Sequence, residues 1–237
     1  MTSCELSDVR RALRELADPE TARFLQRYFK TGAGEYGAGD CFMGIRVPQL
    51  RRLGCSFRAL PLDSVTELLR SSWHEERLLA LLILVERYRR GAGSEREAIH
   101  HLYLDNTSHI NNWDLVDASA ERIVGAHLDP LQIVTLENLA GSASVWERRI
   151  AVMATFHWVK QRTFQPTLRM ADLLLNDPHD LIHKAVGWML REVGKRDMAT
   201  ELGFLKERYR SMPRTMLRYA IERLPENDRQ LYLKGVA

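Results

Sequence analysis

HEERLLALLILVERYRR, residues 74–90, is the stretch that decides the fold. It is one of five helices of like pattern that recur along the chain. Four later segments look like it: WDLVDASAERIVG from Trp113, VWERRIAVMATFHWV from Val145, LIHKAVGWMLREVGK from Leu181 and RTMLRYAIERLP from Arg214. Equivalent positions recur about every 34 to 36 residues, with Arg77, Trp113, Arg149, Lys184 and Arg218 in rough register. A helix-pair period of this size predicts an all-α chain, a HEAT-like α-solenoid of antiparallel helix pairs spanning residues 1–237 as one domain. One helix of each pair would line a concave side, where Arg149, Lys184 and Arg218 could form a basic groove. The same cations could instead pair with neighbouring acids such as Glu147 and Glu192.

Outward from this repeat, the apolar period stays helical and no convincing alternating strand appears. Leu6, Val9, Leu13 and Leu16 mark a first helix face, and Phe24, Leu25, Tyr28 and Phe29 a second. Residues 31–44, TGAGEYGAGDCFMG, hold five glycines and no period, and read as a mobile loop. Pro48 suits the first turn of the next helix. Further starts are expected at Asp63, Asp129-Pro130 and Asp177-Pro178.

Composition narrows the function classes. The chain has 237 residues, 45% hydrophobic and 27% charged, with 14 Gly and 8 Pro, which are globular proportions. The longest apolar run, around Leu78 to Val85, is far short of the ~18 residues of a membrane span. The opening MTSCELSDVRRALREL is charged and amphipathic, with no signal-peptide core. Cys4, Cys41 and Cys55 are too few and too irregular for a disulfide framework or a zinc site. The expected address is the cytosol, or the nucleoid if the partner is DNA, and no coiled coil argues against a monomer. The net charge of +3 is unevenly spread: residues 101–139 carry one Arg and six acids, whereas residues 140–237 carry 17 basic and 11 acidic residues. A basic region beside a few isolated carboxylates is compatible with a polyanion partner.

Two constellations could carry chemistry. In NNWDLVDASAERIVG, Trp113 and Asp117 are four apart and share a helix face, with Asp114 rotated about 100° away. Asp117 lies among Leu115, Val116, Ala118 and Ala120. It reads either as a carboxylate facing a groove beside an aromatic wall or as the partner of a nearby cation, and Trp113 either as that wall or as core. In HKAVGWMLRE, Lys184, Trp188 and Arg191 sit at i, i+4 and i+7 on one face. That face suits a phosphate backbone with a sugar or base, or it is a half-buried Trp covered by Lys and Arg stems. In VWERR, Arg148 and Arg149 cannot share a face, so one can point to a groove while the other is solvated, and Trp146 reads as core. There is no Walker A loop and no strand–GxGxxG–helix unit. No nucleophile elbow is present. The His100/His101 and His179/His183 pairs lack a third ligand, so no metal is expected.

Four pieces carry a resemblance: FMGIRVPQLR from Phe42, WDLVD from Trp113, WERRIA from Trp146 and KAVGWMLRE from Lys184. With these in this order the sequence resembles the AlkD-type DNA alkylation-repair glycosylases, over roughly residues 6 to 225. The resemblance implies cleavage of the N-glycosidic bond of positively charged alkylpurines, such as N3-methyladenine and N7-methylguanine, in double-stranded DNA. Asp117 matches the family's catalytic aspartate, and Trp113 and Trp188 match tryptophans that contact the deoxyribose. Arg149 matches an arginine on the DNA backbone, with Lys184 and Arg191 as further phosphate contacts and Tyr28 as an aromatic near the lesion. The Gly-rich insertion after Tyr28 is the main departure.

The implied chemistry agrees with the residues. A cationic alkylated base leaves as a neutral purine and needs little acid help. One carboxylate, Asp117, held beside two indole faces can then stabilise the oxocarbenium-like sugar and orient a water. No metal, redox cofactor or lysine Schiff base is required. The rival readings are a non-catalytic HEAT-like module binding damaged or branched DNA, and a peptide-binding scaffold.

Overall fold

The structure, a computed structural model, describes residues 5–237; Cys4 lies outside the described residues. The chain is all-α, as the apolar period predicts. Among the described residues the sole extended pairing is an isolated bridge between Cys41 and Trp73. No helix among them is long and apolar enough to cross a membrane. Two compact units follow one another, Met1–Ile123 and Val124–Ala237.

The first unit contains α1 (Leu6–Leu16), α2 (Pro19–Tyr28), α3 (Val47–Ser56), α4 (Leu62–Leu69), α5 (His74–Arg90), α6 (Gly93–Asp105) and α7 (Trp113–Ala120). Helix α5 is its axis, packing on α3, α4, α6 and α7. Every residue from Leu78 to Leu84 is buried, and each fully buried Leu or Ile contributes about 1.5–3 kcal/mol. Val9 and Leu13 bury α1 as its period predicts. Helix α2 is capped by Asp18, whose Oδ1 accepts from the N–H groups of Glu20 (2.8 Å) and Thr21 (2.9 Å). Yet none of its residues is buried. Phe29, just past its end, enters the core, whereas Phe24 and Tyr28 are 56% and 55% exposed. The expected apolar face is thus split, its Phe24/Tyr28 edge turned to solvent. Pro48 stands in the first turn of α3 as expected.

The Gly-rich segment is irregular, as read, but its second half is tied down. The Glu75 carboxylate, 1% exposed, accepts from the backbone N–H groups of Met43 (2.8 Å), Gly44 (2.8 Å) and Ile45 (3.1 Å). The Met43 carbonyl accepts from the Asp18 N–H. Gly44 has φ +87°, and a Cβ there would overlap the Asp18 carbonyl oxygen and approach the Ala22 nitrogen to 2.6 Å. Only glycine suits both that backbone and that space.

The second unit contains α8 (Val134–Ala140), α9 (Val145–Ala154), α10 (Phe156–Lys160), α11 (Gln165–Leu173), α12 (Asp180–Gly194), α13 (Met198–Arg208), α14 (Arg214–Ala220) and α15 (Glu226–Lys234). Helix α12 packs on α9, α11, α13 and α14. Within each unit the repeat helices recognised in the sequence therefore pack successively, α5 on α7 and α9 on α12 on α14, the arrangement of a solenoid-like fold. The α12–α14 crossing is close at Gly187. A Cβ there would overlap the Met216 carbonyl oxygen and lie 2.6 Å from the Tyr219 Cβ. The expected starts at Asp129 and Asp177 fall a few residues early. Asp129 accepts from Leu131 N–H and Asp177 from His179 N–H, so both carboxylates build the turns that lead into α8 and α12.

Among the buried acids of this unit, Glu201 stands apart. Glu201 on α13 is 2% exposed, and its Oε1 has no hydrogen-bond partner. Burial pushes its carboxyl up to about 8, against the opposing pull of Arg191. The folded state therefore holds a proton that the unfolded chain releases near 4.5, and stability falls as pH rises from that value through about 8. Glu201→Gln is expected to remove this decline. In thermal unfolding the variant should match the wild type at pH 4.5 and unfold at a higher temperature at pH 8.5. Parallel curves for the two proteins would contradict the assignment.

Candidate functional site

The predicted site residues fall into two sets, one in each unit. In the first unit, α7 carries Trp113 and Asp117 one turn apart. Asn112 caps the helix, its side-chain oxygen accepting from the Trp113 N–H (2.9 Å). Leu115, Val116, Ser119 and Ala120 form the buried side, whereas Trp113 and Asp117 are half-buried. The expected shared face is therefore present and partly open. Trp113 is neither pure wall nor pure core. Its indole stacks on buried Phe29 (5.1 Å between centroids, 20°) and meets exposed Tyr28 edge-on (6.0 Å, 68°). Phe24 stacks on Tyr28 in turn (6.0 Å, 17°), so α2 extends the aromatic surface that α7 begins. Beyond α7 the chain continues as a π-helical turn, Glu121–Gly125.

Behind this face lies a buried polar network that the sequence reading missed. His74, at the first position of α5, is 2% exposed. Its Nδ1 meets Asp40 Oδ2 at 2.8 Å and its Nε2 meets Asp114 Oδ2 at 2.9 Å. Arg77 holds the other Asp40 oxygen (2.6 Å), and Asn112 donates to Asp40 Oδ2 (3.2 Å). Burial alone would lower the His74 pKa; the two carboxylates outweigh it and raise the imidazole to about 9. Burial would likewise raise Asp40, but the imidazolium and Arg77 hold it below the usual carboxylate range. Separations of 34 and 40 residues along the chain carry no local period. Asp114 had been visible only as the residue that does not share a face with Trp113.

In the second unit, Lys184, Trp188 and Arg191 occupy one half-exposed stripe of α12, between the buried residues Ala185, Val186, Gly187, Met189 and Leu190. Lys184 pairs with Asp180 (2.8 Å) at the surface, an i,i+4 pair of small net worth that a phosphate can replace. Arg191 is ion-paired with Glu222, and its side chain is 16% exposed. The Trp188 Nε1–H donates to Glu192 (3.2 Å), and its indole lies tilted against Phe156 (6.2 Å). Glu192 also takes Lys195 and Arg196, and those partners hold its carboxyl below the ordinary range despite burial.

The two consecutive arginines differ from expectation. Neither is a solvated cation. Arg148 pairs with Asp177 (2.6 Å) and donates to the Ser142 and Ala143 carbonyls. Arg149 is 5% exposed, and its Nη1 donates to the Leu181 carbonyl (2.7 Å), joining α9 to the start of α12. Arg77, at the equivalent register, is likewise 4% exposed. Arg149 turns inward to a carbonyl of the next repeat helix, and Arg77 to the Ser71 carbonyl and the Asp40 carboxylate that precede its own helix. Trp146 is core, as read. Of the two histidine pairs, His179 and His183 serve locally. His179 caps α12, and His183 bonds the Asp177 carbonyl. No metal-binding cluster occurs among the described residues.

Comparison with known proteins agrees with this architecture. A family model described as DNA alkylation repair enzyme matches residues 9–224. A solved structure described as a "Predicted DNA alkylation repair enzyme from Enterococcus faecalis" superposes with a TM-score of 0.67 at 19% identity, over 89% of this chain and 97% of that one. At that identity the likeness speaks for the fold. No curated protein matches the chain.

Proposed function

The chain belongs to the family of DNA alkylation repair enzymes, and from that membership we propose that it is a monofunctional glycosylase acting on cationic alkylpurines in duplex DNA. The observation that carries this reading is the pair Trp113 and Asp117, half-buried together on the open side of α7, with Tyr28 against the indole. A carboxylate in that setting is only partly hydrated, so its field acts on a nearby cation through a lower effective dielectric.

In the proposed reaction, the bond from C1′ to the alkylated purine nitrogen breaks with its electron pair leaving on the base. The base departs neutral, and the positive charge moves to the sugar. Asp117 stabilises that sugar cation and orients a water, whose oxygen bonds to C1′ and whose proton passes to the carboxylate or to solvent. The face of Trp113 supplies further attraction to the cationic sugar, and Trp188 in the second unit is assigned a contact to DNA deoxyribose. Lys184, Arg191 and Tyr28 contact the DNA. Arg149, held at the Leu181 carbonyl, contributes through the helix it secures as well as by its charge.

The test is release of free N7-methylguanine and N3-methyladenine from methylated duplex DNA, with Asp117→Asn as the reference. Release by the wild type alone supports the proposal. Salt-sensitive binding without release by either protein would favour a non-catalytic module for damaged DNA.

A further inference from the structure

Two tethers reach the first turn of α7, and both lead to one charged cluster. Asp114 follows Trp113 directly and accepts from His74 Nε2. Asn112 precedes Trp113, caps the helix and donates to Asp40, which also binds His74 Nδ1. A third link runs through rings. His74 stacks on Phe42 (4.4 Å, 22°), Phe42 on Phe29 (5.0 Å, 19°) and Phe29 on Trp113 (5.1 Å, 20°). The residue that bears the aromatic wall of the proposed site is thus fixed at its backbone on both sides and at its indole, and His74 stands at the root of all three links.

We propose that His74 is a positioning residue: as an imidazolium clamped between Asp40 and Asp114, it sets the placement of Trp113 and, one turn on, of Asp117. The inference rests on the glycosylase reading for its effect on rate, but not for its effect on Trp113.

Charge balance supports the clamp. The groups facing His74 are Asp40 from the Gly-rich segment, Arg77 from its own helix and Asp114 from α7. Neighbouring Glu75 is engaged by three backbone N–H groups. With His74 protonated, two carboxylates face two cations and the buried cluster is neutral. Loss of that proton leaves a net negative charge inside the fold, and the bond to one of the two carboxylates loses its donor hydrogen. The imidazole holds its proton up to about 9, so the clamp is intact at neutral pH and releases as pH rises through that value.

The experiment has two arms on the full-length protein. The first is single-turnover base release at saturating methylated DNA from pH 6 to 10. The wild type should lose rate in an alkaline limb near pH 9. His74→Gln should lose about 10- to 100-fold in rate at pH 7 with its KM within about threefold of wild type, and should lack that limb. Asp114→Asn keeps an acceptor for the imidazole and removes a charge, and should move the limb to lower pH. The second arm needs no activity. The near-UV circular dichroism of Trp113, isolated as the difference from Trp113→Phe in each background, should change between pH 7 and 10 in the wild type and stay constant in His74→Gln.

Should His74→Gln fail to fold, the wild type and Asp114→Asn decide the matter alone. An alkaline limb at the same pH in both, or a Trp113 signal in the wild type indifferent to pH, overturns the inference. A wild type that releases no base defeats the glycosylase reading and leaves the circular dichroism arm to judge the clamp.

Discussion

Replacing Asp117 by Asn is expected to slow methylpurine release by about 10²–10³-fold while leaving helix content and DNA affinity close to wild type. Asn keeps the shape and one acceptor oxygen and removes the charge. Asp117 lies on the half-exposed side of α7, so the substitution opens no cavity in the core formed by Leu115, Val116 and Ala120. The effect should therefore appear in kcat, because the carboxylate matters most once the sugar bears charge. A contrasting result is well defined. If Asp117 served only as the partner of a nearby cation, Asp117→Asn would lower the unfolding temperature and leave the release rate within about threefold. Single-turnover kinetics together with thermal unfolding separate the two outcomes.

The largest expected loss of stability comes from Glu75→Ala, at about 3–5 kcal/mol. Its carboxylate is buried and accepts from three consecutive N–H groups, those of Met43, Gly44 and Ile45. Removing it strands three donors where water cannot easily reach them, at about 1–3 kcal/mol each before relaxation. Glu75→Gln keeps one acceptor oxygen and should lose roughly half as much. Chemical denaturation with urea measures both. A loss below about 1 kcal/mol for Glu75→Ala would mean that the 42–46 segment finds other partners.

These two residues also show what a sequence does and does not display. The face shared by Trp113 and Asp117 was legible because four residues make about one helical turn, and that geometry is local. The long helices α5 and α12 were legible for the same reason, whereas the stretch read as one helix from Val145 is broken at Thr155 into α9 and α10. The family resemblance singled out FMGIRVPQLR, but the grip of Glu75 on it spans about thirty residues, and composition alone made the preceding glycines look loose. The Asp40–His74–Asp114 cluster was hidden likewise, since its members meet only after α5 and α7 have packed. The inward turn of Arg149 was hidden for a different reason. Lys and Arg are mostly solvated, and one acceptor of this guanidinium is the main-chain carbonyl of Leu181, a group that every residue has and no sequence motif announces.

Helix α2 carries Tyr28 yet buries none of its own residues. It is held at its ends: at its start the Asp18 cap and the Met43 carbonyl fix the chain, and just past Tyr28 the buried Phe29 stacks on Phe42 and Trp113. In native-state hydrogen exchange the turns between those ends, which bury nothing, should exchange long before the amides of α5, whose protection should approach that of global unfolding. The aromatic surface beside Trp113 would be breathing on a scaffold that stays shut.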